Sequence, residues 1–373
     1  IQGLYNAERD AVLTTLGPPS TKAWDPELDV RISEPALQRV TEAGLREGVG
    51  EFRKKLTVPN PLGVELSVTP KGQVRSVRVQ TKKGCTGCLT VTAKVQGDAR
   101  WKAGPLGGTV PFAATVSGQV RFEAVPAKKG WEITGRLVSV DRVEMDRTRA
   151  AKVDLKPVLG EWIEDALKKA EPMDLGHFGG AGLPLRALRL DSDADALHIL
   201  GLVDAVGAVP VTGKAAPLTQ DWDLRIHETT LAMLARREAF QLGMLEHDTA
   251  ADPRALHLDG DRFTLDLRLW RLSGMGWWRD YTVDGTLALN PRTHKLSLKA
   301  TDAKATEKSK GAAIADPLAF LAEGQILGAV TGAVRASVPA ATRAKVGGRA
   351  LKAEALTAKG EGQHLVVSGR MTL

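Results

Sequence analysis

Two hydrophobic periods alternate along the chain. Between 33 and 56 the apolar residues Leu37, Val40, Leu45, Val49, Phe52 and Leu56 recur at helical spacing. Ser33 stands where an N-cap belongs, and Pro35 falls in the first turn, where a missing N–H does no harm. LTVPNP at 56–61 stops this helix. A period of two follows over 64–69, 74–80, 89–95, 110–125 and 131–143, five strand-like stretches separated by PKG, KKG and AKKG turns. Helical spacing returns at 157–170 with Val158, Leu159, Trp162, Ile163, Ala166 and Leu167 on one face, and 185–190 with 197–203 read as a closing hairpin.

The order helix, strands, helix, strands then occurs a second time. A less regular helix covers 229–245, with Leu231 and Leu234 on its apolar side. Stretches 256–259 and 262–272 meet at Asp259-Gly260, a tight-hairpin signal, and 281–289 joins 295–300 through Asn290-Pro291. A helix at 317–338 is apolar on most sides, with Leu327, Val330 and Val334 among its residues, and a hairpin at 350–373 ends the chain. Self-similarity accompanies this order. DVRISE at 29–34 is echoed by DLRIHE at 223–228, an offset of 194, and 157–201 runs parallel to 325–369 at an offset of 168. The 26 residues between the two offsets read as a deletion in the second half, about one hairpin's worth of chain, leaving it with fewer strands. The division that follows is a lead segment 1–22, a first unit 23–208, a Pro/Gly-rich connection 209–220 and a shorter second unit 221–373.

A long helix, a meander of alternating strands, a second helix and returning strands, written in tandem, resembles the TULIP superfamily of tubular lipid-binding domains. RALRLDSDADALHILG at 186–201 and KAEALTAKGEGQHLVVSG at 352–369 look like the last strand pair of such modules. YTVDGTLALNPRTHKLSLKATDAKA at 281–305, followed by FLAEGQILGAVTGAVRASV at 320–338, is also similar to an uncharacterised bacterial TULIP-like family. The resemblance spans most of 25–373. It implies an α+β fold of two TULIP-like modules, each a curled antiparallel sheet wrapped around long helices. It also implies a lipid or other long apolar ligand held in a groove between helix and sheet. Burying acyl methylenes gains about 0.8 kcal/mol each, on the order of 10 kcal/mol gross for one long chain. The positions expected to line the groove are Leu37, Val40, Gly44, Leu45, Gly48, Val49 and Phe52 in the first helix and Leu159, Ile163 and Leu167 in the second. In the other half they are Leu231, Leu234, Leu327, Val330 and Val334. Gly44 and Gly48, like Gly328 and Gly332, would widen such a slot. Every core also needs apolar residues at helical spacing, and glycine also lets a helix approach a sheet closely, so both readings stand.

Composition narrows the picture. The chain has 373 residues, 43% hydrophobic and 25% charged, which excludes disordered and collagen-like classes. No apolar run is long and uninterrupted enough to span a bilayer: Asp316, Pro317 and Glu323 break 312–334, and His198 and Asp204 break 197–211. The net charge of +7 is spread along the chain without interleaved aromatics. It reads as solvated faces, with attraction to anionic lipid surfaces as the secondary reading and no nucleic acid as partner. The chain lacks an initiator Met, so an export signal is expected to have been removed.

Catalytic and metal motifs are incomplete. Leu272-Ser273-Gly274-Met275-Gly276 lacks the first glycine of a nucleophile elbow, and His227-Glu228 meets Leu231 where H-E-x-x-H needs histidine. Asp191-Ser192-Asp193-Ala194-Asp195 begins like a calcium loop, but Ala196 and Leu202 stand where glycine and glutamate are needed. Gly176 to Gly182 reads as a glycine-rich connector at a groove mouth. Cys85-Thr86-Gly87-Cys88 lies between strands, so it reads as a hairpin-tip disulfide or a free pair; a disulfide would fit an oxidising compartment such as the periplasm. Trp277-Trp278 is either core or an exposed tip for transient membrane or partner contact, and core is the better account. The sequence therefore points to a non-enzymatic lipid-binding or lipid-transfer protein of a bacterial envelope, without metal or cofactor. The alternative is a solidly packed structural protein that docks a partner or a membrane surface.

Overall fold

The computed structural model describes residues 1–16, 24–49, 52–53, 56–58, 65–82, 85–128, 130–145, 149–150, 153–170, 172–180, 183–244, 248–290, 296–309, 344–346 and 349–373. The chain opens with α1 (Gln2–Leu13), β1 (Leu28–Ser33), α2 (Glu34–Val49), β2 (Phe52–Arg53) and β3 (Leu56–Val58). Four long strands follow: β4 (Leu66–Thr81), β5 (Cys88–Ala103), β6 (Leu106–Ala127) and β7 (Gly130–Met145). Then come β8 (Arg149–Ala150), β9 (Val153–Asp154), α3 (Lys156–Lys168), β10 (Met173–Phe178), β11 (Leu185–Ser192) and β12 (Ala196–Val203). The second half holds β13 (Trp222–His227), α4 (Glu228–Leu242), β14 (Thr249–Asp259), β15 (Arg262–Arg271), β16 (Trp277–Leu289) and β17 (Leu296–Lys308). It closes with β18 (Ala344–Val346), β19 (Arg349–Glu361) and β20 (His364–Thr372).

One seven-stranded sheet, in the order β11-β12-β1-β13-β20-β19-β18, draws on both halves of the chain. Its neighbouring strands β1 and β13 hold the first five residues of each repeated hexapeptide, DVRISE and DLRIHE, and pair antiparallel: Val30 faces Leu224 and Arg31 faces Asp223. The outer pairings obey the sequence offsets. Leu28 faces Gly201 as Trp222 faces Gly369, and Ser33 faces Ala196 as His227 faces His364. The hexapeptides are strands, where sequence pattern was used only to align them. The period-two signal is there, but both faces are covered, so the polar residues Asp29, Arg31, Asp223 and Arg225 are buried along with their apolar neighbours.

Two outer sheets differ in size. The first runs β10-β7-β6-β5-β4-β2, with β3 also on β4; the second runs β14-β15-β16-β17. Among the described residues the second outer sheet has fewer strands than the first, and they are shorter: 11, 10, 13 and 13 residues against 16, 16, 22 and 16 for β4 to β7. Shortening each strand takes up most of the offset difference. The first sheet is a curled half-barrel. Register shifts at Val74/Ser76 and Ser117/Gly118 in the first sheet, and at Asp284/Gly285 in the second, bend the strands. Gly135 opposite Phe122, and Gly285 opposite Phe263, let a ring lie across the neighbouring strand where any side chain would collide with it.

Other boundaries also shift. Pro70-Lys71-Gly72 does not turn the chain; β4 runs through it, bonded to β5 on one side and β2 on the other. The first helix ends at Val49, so Phe52 lies on β2 opposite Gly72 and not on the helix face. Gly176 to Phe178 belongs to β10 at the edge of the first sheet, not to a connector. Residues 317–338, with the expected lining positions Leu327, Val330 and Val334, lie outside the described residues.

The helices attach through residues that the repeat preserves. Glu34 begins α2 and its carboxylate accepts from the Thr81 amide at the end of β4 (3.1 Å); Glu228 begins α4 and accepts from the Leu258 amide of β14 (2.8 Å). Helix α2 lies against β4, α3 against β7 and α4 against β14. The lead helix α1 docks on α4: the Tyr5 ring sits 5.5 Å from Phe240 and 6.0 Å from Trp270, and Arg236 binds both Glu8 and Asp252 at 2.5 Å.

Candidate functional site

The first outer sheet and α3 enclose a cleft of about 680 Å³. Its lining is mainly polar and charged, and most of the apolar residues that border it are buried. Val95, Ala114 and Met145 belong to the molecule's main core, and Val143 packs against that core from β7. Its rim is cationic: Lys94, Arg142 and Lys156 line it, with Glu144 bound to Arg142 at 2.7 Å. Lys94 is exposed and its neighbour Val95 buried because consecutive strand residues point to opposite faces, so the strand cations stand on the open face and the apolar residues on the core face. Lys156 also opens α3, whose N-terminal backbone adds partial positive charge at the same place. Among the described residues neither Lys94 nor Lys156 has a carboxylate at salt-bridge distance. The three cations lie far apart in sequence and carry no motif; the sheet register places Lys94 and Arg142, and the start of α3 adds Lys156.

The expected lining residues that are described belong to the core and do not line this cleft. Leu37, Val40 and Leu45 on α2, Leu159, Ile163 and Leu167 on α3, and Leu231 and Leu234 on α4 are all between 0% and 2% exposed and join the same core. At Gly44 the Met173 side chain fills the space a Cβ would take, with Val346 Cγ1 beyond it at 3.3 Å, so this glycine admits β10 and β18 close to the helix. Gly48 and Val49 lie in the last turn of α2 and Phe52 on β2; their side chains are outside the described part.

Cys85 and Cys88 form a disulfide at the β4–β5 tip, with Cα atoms 5.5 Å apart. That tip is held by β6 and by β11: the Phe122 amide of β6 donates to Gly87 O at 2.7 Å, and Ser192 Oγ of β11 donates to Cys88 O at 3.4 Å. Trp277 is buried and Trp278 half-buried, because consecutive strand residues face opposite ways. The Arg268 guanidinium lies 3.8 Å above the Trp278 ring, and the exposed apolar residue of this turn is Met275.

The sites resembling catalytic or metal motifs have other partners. Asp193 Oδ1 accepts from the amides of Asp195 and Ala196, both at 2.8 Å, closing a hairpin tip. His198 bridges Asp29 (3.0 Å) and Asp193 (3.1 Å). Burial alone would lower its pKa; the two carboxylates overcome this and hold it up at about 9. One strand away, Arg31 makes a two-pronged ion pair with Asp223, and both side chains are buried. Among the described residues no group of three or more His, Cys, Asp and Glu side chains could hold a metal ion. No described helix is long and apolar enough to cross a membrane.

No family model and no curated protein sequence matches the chain. Among solved structures it is similar to a lipopolysaccharide binding protein, with a TM-score of 0.36 and 10% identity over 93% of this chain and 99% of that one. It is also similar to P47 of Clostridium botulinum E1, with a TM-score of 0.41 and 9% identity over 94% of this chain and 100% of that one.

Proposed function

We propose that the protein binds, and transfers between membranes, a lipid with an anionic head group, without catalysing a reaction on it. The observation that carries this reading is the cleft beside α3. It gathers Lys94, Arg142 and Lys156 on one side of strands whose other face carries Val95, Ala114 and Met145 into the apolar core. An amphiphile needs that combination: burial gives the acyl chain its affinity, and the cationic rim orients the head group. The register equivalence of the central sheet supports a further reading, that the chain is two TULIP-like modules joined through β1 and β13. The Cys85–Cys88 disulfide supports an oxidising compartment, and we place the protein in a bacterial envelope.

A second reading has its own observation. Helix positions only 0% to 2% exposed are packed against protein, as in a structural module that docks a partner through its surface. One experiment separates the two. The purified protein is incubated with vesicles of phosphatidylglycerol or of phosphatidylcholine, analysed by native mass spectrometry, and assayed for transfer of a fluorescent lipid to acceptor vesicles. Lipid binding predicts a bound lipid and faster transfer from phosphatidylglycerol, with at least a tenfold loss in the triple variant K94E/R142E/K156E. Absence of both bound lipid and transfer in the parent protein would leave the structural reading.

A further inference from the structure

A second pocket, of about 490 Å³, lies where the lead segment crosses the edge of the central sheet. Its volume is in the range of small-molecule sites. Leu16, Pro184 and Leu185 supply apolar walls, Gly180 leaves open space where a side chain would stand, and Arg186 and Asp204 are its charged groups. The two charges are not equivalent. Asp204 is fully engaged: its carboxylate accepts from the Leu16 amide at 2.8 Å and from Arg237 at 3.3 Å, and its carbonyl accepts a second Arg237 N–H.

Arg186 is under-used. Its Nε is shielded from water and has no acceptor among the described residues. The nearest carboxylate oxygen, on Glu27, is 3.8 Å from Nη2, beyond hydrogen-bond reach. Glu27 is turned elsewhere, accepting from the Val203 amide at 2.6 Å, and burial pushes its carboxyl pKa up against the pull of Val203 and Arg186. A guanidinium whose nearest carboxylate among the described residues stands beyond hydrogen-bond reach, beside an apolar pocket whose own acid is already neutralised, leaves its terminal N–H groups for a planar anion.

We propose that this pocket binds a short aliphatic monocarboxylate, its carboxylate on Arg186 and its chain against Leu16, Pro184 and Leu185. This site is separate from the cleft beside α3 and does not depend on the lipid reading. Its test is calorimetric titration of the whole protein with octanoate, 1-octanol and inorganic phosphate. Octanoate should bind one-to-one, the alcohol at least tenfold more weakly, and phosphate without measurable heat. R186M, which keeps the length of the side chain and removes the fork, should weaken octanoate at least tenfold and leave the alcohol unchanged. L16W, which fills the pocket from the far side, should abolish octanoate binding, and K94E/R142E/K156E should leave it intact. Octanoate binding unchanged in either folded R186M or folded L16W overturns the proposal, as does a parent protein that binds the alcohol as well as the acid. Should R186M fail to fold, L16W decides alone.

Discussion

The central sheet and the two outer sheets obey different constraints. In the central sheet the repeat-related strands β1 and β13 are each other's neighbours, and the flanking pairs β1–β12 and β13–β20 share one register. Any change in one hexapeptide must therefore be met by its own relative across the ladder. The outer sheets close on different helices, so nothing couples their lengths. The four long strands of one are 16 to 22 residues long and carry a disulfide at a tip, while those of the other are 10 to 13.

The sharpest way to break that comparison is at the central charges. Arg31 and Arg225 are repeat equivalents, but Arg31 forms a two-pronged pair with Asp223, and Arg225 donates to the carbonyl of Thr212 at 3.2 Å. R31M leaves Asp223 buried and unpaired and is expected to cost about 3–5 kcal/mol. R225M removes a bond from a charged donor to a neutral carbonyl and is expected to cost about 1.5–3 kcal/mol. Urea unfolding of both variants measures the difference. Equal losses would mean that the two halves of the ladder are energetically alike despite their different partners.

A second test uses pH. His198 faces Arg31 across the ladder, where the other half has Val366 facing Arg225. Because its pKa is raised to about 9, the stabilisation by His198 is complete below about pH 6.5 and is lost as pH rises through about 9. The amount is on the order of 3 kcal/mol. H198V, which copies the second half into the first, should flatten the fall in stability between these pH values. Parallel curves for parent and variant would remove His198 as the source.

Local pattern carried the parts of this fold that are local. The helix read at 157–170 is α3 at Lys156–Lys168, and Asp259-Gly260 joins β14 to β15 with Gly260 at φ +59°. Three features were lost for physical reasons. The hexapeptides are short strands covered on both faces, so nothing in their polarity separates a solvent side from a core side. β4 runs through Pro70-Lys71-Gly72, which reads as a turn because tertiary pairing outweighs local preference there. The pockets depend on residues that meet only in the fold; Leu16 and Asp204 are 188 positions apart.

The smallest expected effect concerns the helix starts, where the repeat diverged in a residue but not in a role. Ser33 Oγ accepts from the Ala36 amide at 3.4 Å at the start of α2, and His227 Nδ1 accepts from the Thr229 amide at 3.1 Å at the start of α4. Imidazole is an unusual cap, and a second anchor makes it tolerable. The Glu34 amide donates to Asp195 O (3.3 Å) and the Glu228 amide to Gln363 O (2.9 Å), repeat-equivalent hairpin carbonyls that hold each helix start whatever caps it. The His227 ring also packs edge-on against His364, 5.2 Å away, which a serine could not do. S33A is therefore expected to cost about 1 kcal/mol, the ordinary value of a cap. H227S should come out within about 0.5 kcal/mol of the parent, because the better cap offsets the lost ring contact. Thermal unfolding of the two variants checks this. A large loss in H227S would show that the ring contact, and not the cap, is what the second half retained.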